Sequence, residues 1–182
     1  MAHIKVNPEL PGIIGLLDFR KETAKPLGEF TEILLRGPSS LSAGEREIIA
    51  SYVSALNDCL FCHSSHGAAA AAHLGTDMSL LEDIKAGVKR TSITPRLRAL
   101  LAVAAKVQQA GKKVSEADIQ AAREEGATDL EIHDTVLIAA AFCMFNRYVD
   151  GLGTWAPQDR NAYREIGQKL ADVGYVAAES RA

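Results

Sequence analysis

The chain has 182 residues, 47% of them hydrophobic and 24% charged, which suits one domain with a sizeable core and excludes a disordered chain or a disulfide-stapled miniprotein. Its 20 Lys plus Arg against 23 Asp plus Glu leave a net charge of −3, without the basic surplus that nucleic acid or an acidic membrane surface would demand of a partner. Residues 1–20 carry Pro8, Glu9, Pro11 and Asp18 where a signal peptide needs an unbroken apolar run, no stretch has the length of a membrane span, and three cysteines form no exported framework; the expected setting is the cytoplasm.

Aromatics are only 5% and alanine, the strongest helix former, is abundant, so the expected class is all-α, a single domain over 1–182. Residues 1–25 hold one short apolar stretch, 13–19, and are expected to wrap the surface as an arm. A helix over 26–36 is closed by Gly37 and Pro38. Ser42 and Glu45 form a capping box that opens a helix from Ala43 to about Leu56. Asn57 and Asp58 interrupt it, and Asp58 is the expected cap of a helix over 59–73 that ends near Gly75. Thr76 opens a short helix stopping at Gly87. Thr94 before Pro95 starts another that runs to Ala110, since proline at the first helical position loses no bond. Ser115 caps a short helix that stops at Gly126. Thr128 and Glu131 form a second capping box before the apolar run 132–149, expected to be the most buried helix. A mixed-polarity helix over about 157–173 closes the chain.

Chemistry concentrates between Glu47 and His66, where Cys59-Leu60-Phe61-Cys62-His63-Ser64-Ser65-His66 stands. Cysteines three apart on a helix share a face and lie close enough to form a disulfide. At the start of a helix the unpaired amides and the positive end of the dipole favour a thiolate, the nucleophilic form of the residue. His66, four residues after Cys62, shares that face and titrates near neutrality, as a proton relay requires. The same residues admit other readings. Cys59-x-x-Cys62-His63 matches c-type haem attachment, which normally requires export. Cys59, Cys62 and His63 or His66 are zinc-ligand types, although no second C-x-x-C completes a structural site. The cysteines could also be plain core residues.

A glutamate twelve residues before the first cysteine, followed by C-x-x-C-x-x-x-H, here Glu47, Cys59, Cys62 and His66, resembles the alkylhydroperoxidase D (AhpD)-like and carboxymuconolactone decarboxylase-like superfamily, in its peroxidase-related branch. The stretches around 41–49, 55–58 and 145–153 look like the same branch, and the likeness spans about 11–153. The resemblance implies an oligomeric all-helical bundle that acts as a thiol-dependent peroxidase. Cys62 would attack a hydroperoxide and become a sulfenic acid, Cys59 would resolve it to a disulfide, and Glu47 and His66 would relay protons. It implies a dithiol reductant, in the best-known system a lipoyl-bearing protein, and a homo-oligomer (dimer, trimer or hexamer); no cofactor and no metal are expected. Phe61 departs from the pattern, because the best-known members have histidine there, and His63 points elsewhere on the helix.

Twelve residues of unbroken helix rise roughly 18 Å, too far for Glu47 to share a proton with the cysteines. The preferred solution is a chain reversal at Asn57 and Asp58, poor helix formers that favour caps. The other reading of Glu47 is a solvent-facing partner of Arg46 or a lysine. Residues 68–72 read as a small-residue face for a neighbouring helix, Cys143 as an inert core thiol, and His133 as a surface group near a cap. Asn146, Arg147 and Asp150 read mainly as structural, with Arg147 and Asp150 able to form a buried ion pair or a subunit contact. Two further functions fit the same frame: a cofactor-free decarboxylase of lactone acids, which does not need the cysteine pair, and a redox-sensing or zinc-binding module.

Overall fold

A computed structural model describes residues 2–86 and 93–176. In chain order the helices are α1 (Gly12–Phe19), α2 (Lys21–Arg36), α3 (Ala43–Leu56), α4 (Leu60–Leu74), α5 (Ser79–Ala86), α6 (Pro95–Gln109), α7 (Glu116–Glu124), α8 (Asp129–Gly151) and α9 (Arg160–Val173). No strand occurs among the described residues, so the fold is all-α. No helix among them is long and apolar enough to cross a membrane.

The capping chemistry explains most of these boundaries. Both halves of the boxes at Ser42/Glu45 and Thr128/Glu131 are formed, and the Thr94 side chain accepts from the Leu97 amide ahead of α6. Gly75 closes α4 in the left-handed conformation at φ 64°, where a Cβ would be strained. The last helix begins at Arg160, later than expected, because the Asp159 carboxylate accepts from the Asn161 amide at 2.9 Å and so marks the start. The expected stop at Gly87 lies outside the described residues.

Residues 1–25 do more than wrap the surface. They contain α1 and the first turn of α2, which starts at Lys21 and carries Pro26 within it. Of the apolar positions in 13–19, Leu16 is fully buried while Ile14 and Phe19 stay exposed. Gly12, at φ 53°, lies so close to Phe61 that a Cβ would be 2.2 Å from its ring, so α1 rests directly on the start of α4.

The most buried helices are α3 and α4, with Glu47, Ile49, Ala50 and Val53 on the first and Ala68–Ala71 on the second closed from solvent. The expectation that α8 would be the most buried fails, because one of its faces is open, with Met144 47% exposed. Small side chains make the difference: α4 is rich in alanine, so α3 and α9 can both approach it closely. At the α4–α9 crossing a Cβ on Gly167 would sit 2.5 Å from the Ala68 Cβ, which bears out 68–72 as a helix-packing face. The main core joins α3, α6 and α8, and a smaller cluster gathers Cys59, Phe61, Cys62, Ala68, Val149 and Tyr163. That smaller cluster carries the thiols.

Candidate functional site

The chain reverses between α3 and α4 through a Schellman motif. The Cys59 amide donates to the Ser54 carbonyl at 3.0 Å and the Asp58 amide to the Ala55 carbonyl at 3.1 Å, which requires a left-handed residue at the position between. Asp58 takes that conformation at φ 58°, a role aspartate tolerates better than most side chains. Asp58 is therefore spent on closing α3, and Cys59, not Asp58 as expected, is the N-cap residue of α4. Cys62 becomes the third helical residue, among the amides that have no partner within the helix. The reversal also folds α4 back along α3, so Glu47 and His66, nineteen residues apart in sequence, meet with Nδ1 of His66 2.7 Å from Oε2 of Glu47.

Glu47 is closed from solvent, which excludes the solvent-facing reading. Its second oxygen, Oε1, accepts a short hydrogen bond from the Tyr175 hydroxyl. The Tyr175 ring stacks on His66 with centroids 5.9 Å apart and 9° between planes, while Phe142 meets His66 edge-on at 4.5 Å. The imidazole thus packs against two rings, with Nδ1 donating to the carboxylate and Nε2 left for chemistry.

The two motif cysteines are free thiols, both buried, and hydrogen-bonded to each other. The bond from the Cys59 thiol lowers the Cys62 pKa, with further lowering by the charge of His66 and by a hydrogen bond from Asn146, all working against burial. The same bond, followed by burial and by the Cys62 charge, pushes Cys59 far up. The pair therefore divides into a thiolate-prone Cys62 and a proton-keeping Cys59. Asn146 is oriented for its part: its Oδ1 accepts from Asn57 at 2.8 Å and its Nδ2 donates to Ser54 at 3.0 Å. Partial desolvation raises the pKa of Asp150, which lies beside Cys59 although its side chain still reaches solvent. Tyr163 is pushed up to about 12, by burial first and then by the two cysteines.

A cavity of about 190 Å³ opens on this arrangement, with Cys62, Ser65 and His66 on one wall and Ile13, Phe142 and Tyr175 among the others. Its lining is mainly apolar. The Ser65 hydroxyl is buried and has no hydrogen-bond partner among the described residues, a cost that a bound polar group would remove. Phe61 also lines this cavity and packs on Tyr163 with ring centroids 6.3 Å apart.

The four expected residues thus come together: Cys62 and His66 on the cavity, Cys59 bonded to Cys62, and Glu47 behind His66. His63 does not join them, because Ser51 Oγ lies 3.0 Å from its Nδ1 on the far side of α4. Among the described residues no three His, Cys, Asp or Glu side chains are placed so that they could hold a metal ion. Arg147 and Asp150 are both exposed and form no buried pair; Arg147 donates instead to the Cys143 carbonyl at 2.8 Å. Cys143 is only half-buried, and His133 is exposed beside Asp134. Sequence reasoning missed Tyr175, Ser65 and the task of Asn146. A lone asparagine in an apolar helical run was a usable signal, whereas Tyr175 lies far from the motif and carries none.

Residues 21–86 and 78–156 match the carboxymuconolactone decarboxylase family. The fold is similar to that of the alkylhydroperoxidase AhpD core of an uncharacterized peroxidase-related protein from Ralstonia eutropha JMP134, with a TM-score of 0.77 and 30% identity over 87% of this chain and 81% of that one. An uncharacterized peroxidase-related protein from Silicibacter sp. TM1040 is likewise similar, with a TM-score of 0.75 and 30% identity over 85% and 78% of the two chains. A protein of unknown function from Agrobacterium tumefaciens, 20% identical, shares the fold at a TM-score of 0.66 over 81% and 99%. No curated protein matches the chain.

Proposed function

The chain belongs to the carboxymuconolactone decarboxylase family, and on that footing we propose that it is a thiol-dependent peroxidase of the alkylhydroperoxidase kind. The observation that carries this reading is geometric: the free, buried thiols of Cys59 and Cys62 share one cluster, and Cys62 lines a cavity together with His66, whose Nδ1 lies 2.7 Å from Glu47. A decarboxylase would leave that pair without a task.

In the proposed cycle His66 Nε2 accepts the Cys62 proton as the thiolate forms. The Cys62 sulfur attacks the terminal oxygen of a hydroperoxide, the O–O bond breaks, and the departing alkoxide takes a proton from His66 to leave as an alcohol. Cys62 is now a sulfenic acid and its negative charge is gone. The two effects of Cys62 that hold the Cys59 pKa up, the hydrogen bond and the charge, vanish with it. Cys59 then attacks the Cys62 sulfur and forms the disulfide, and its proton leaves with the hydroxyl as water. A dithiol, such as that of a lipoyl-bearing protein, returns two electrons and two protons by exchange and is itself oxidised to a disulfide. Glu47 holds His66 for both proton transfers, and the Ser65 hydroxyl donates to the bound peroxide. The setting such a cycle needs is the reducing cytoplasm, and the working form is a homo-oligomer.

The test is turnover of hydrogen peroxide and an organic hydroperoxide by purified protein with reduced lipoamide, with mass spectrometry of the peptide holding Cys59 and Cys62. Turnover with reversible loss of two hydrogens, abolished in Cys62→Ser, is the expected result. Absence of both turnover and disulfide, or full activity in Cys62→Ser, overturns the proposal.

A further inference from the structure

The end of α9 and the segment that follows it are fastened to α2 through their backbone. Arg36 Nη1 donates to two carbonyls in the last turn of α9, Leu170 at 3.0 Å and Ala171 at 2.8 Å. Its neighbour Glu32 accepts from the Tyr175 amide at 2.8 Å. That contact needs glycine at 174: a Cβ there would lie 2.3 Å from the Glu32 carboxylate, and the backbone is at φ 84°. Gly28 of α2 is equally constrained, because a Cβ on it would come 2.9 Å from the Tyr175 carbonyl. Two glycines, one carboxylate and one guanidinium therefore fix the backbone at 175. The side chain so placed donates to Glu47 Oε1, lies 3.3 Å from His66 Nδ1 and covers the imidazole face.

We infer that Tyr175 is a positioning residue of the site: its hydroxyl locks the Glu47 carboxylate so that Oε2 addresses His66 Nδ1, and its ring holds the imidazole with Nε2 turned to Cys62. This inference rests on the peroxidase reading for its purpose, although the geometry it concerns can be tested without peroxide. A carboxylate with one oxygen on His66 alone can rotate about its last torsion, whereas two fixed partners leave a single orientation. Burial, then the Glu47 charge and hydrogen bond, raise the Tyr175 pKa well above its ordinary value, so the hydroxyl remains a donor across the working range of pH.

Tyr175→Phe removes the hydroxyl and keeps the ring. The readout is the pH dependence of Cys62 alkylation by iodoacetamide, followed by mass spectrometry, beside kcat/KM for an organic hydroperoxide. Release of the Glu47 carboxylate from its fixed orientation predicts a displaced alkylation profile, roughly tenfold slower alkylation near pH 7 as His66 loses its alignment, and a matching fall in kcat/KM. An unchanged profile and rate in a folded Tyr175→Phe protein overturns the inference. If that variant fails to fold, proton NMR of the unaltered protein decides: a protected Tyr175 hydroxyl proton close to the His66 ring supports it, and a freely exchanging one overturns it. An unaltered protein without peroxide turnover, combined with a displaced alkylation profile in Tyr175→Phe, sinks the peroxidase reading and keeps this one.

Discussion

Replacing Cys59 by alanine and, separately, by serine parts two tasks that the same thiol performs. Both variants lose the resolving sulfur, so neither can form the disulfide. Only alanine also loses the donor, and that donor is the largest cause of the lowered Cys62 pKa. A hydrogen bond to a charged acceptor contributes about 1.5–3 kcal/mol, and 1.36 kcal/mol corresponds to tenfold in protonation equilibrium. Cys59→Ala should therefore cut the thiolate population at neutral pH by roughly 10- to 100-fold. His66 and Asn146 still favour the thiolate, which puts the expected value toward the lower end. The sign is fixed by which form is charged: raising the pKa moves the whole attack profile to higher pH. Cys59→Ser keeps an O–H donor and should attack peroxide at close to the original rate, then stop as a sulfenic acid. The assay is dimedone trapping after one equivalent of peroxide, together with Cys62 alkylation against pH. Equal rates and equal profiles in the alanine and serine variants would refute the hydrogen-bond argument.

Three other outcomes follow from the same geometry. Glu47→Gln keeps the shape and removes the charge behind His66, and stopped-flow measurement should find peroxide attack about tenfold slower, the difference between a charged and a neutral hydrogen bond. Ser65→Ala removes an unpartnered hydroxyl from the cavity wall, so kcat/KM for a hydroperoxide should fall several-fold while Cys62 alkylation against pH stays unchanged; a displaced profile would contradict a role limited to binding. Gly167→Ala drives a Cβ to 2.5 Å from the Ala68 backbone carbon, and this overpacking should cost about 1–3 kcal/mol, visible as a lowered Tm in calorimetry.

Most of the fold was legible in the sequence because its signals are local. A Ser or Thr followed three residues later by Glu satisfies orphan amides whatever the surroundings, and those boundaries hold in the structure. The motif residues were legible for a similar reason, since the helical spacing of Cys59, Cys62 and His66 sets a shared face. Tertiary structure decided what depends on distant partners. The closing of α3 claimed Asp58 and handed the cap of α4 to Cys59. Small side chains on α4 let α9 approach it and made α4, rather than the longer α8, a buried centre. Leu16 went inside because α1 lies against the start of α4. Above all, the sequence holds no sign that Tyr175, 128 residues from Glu47, would complete the relay. A hydrogen bond between remote segments has no period and no spacing to read; it exists only once α2 and α9 have been packed and their loops fixed.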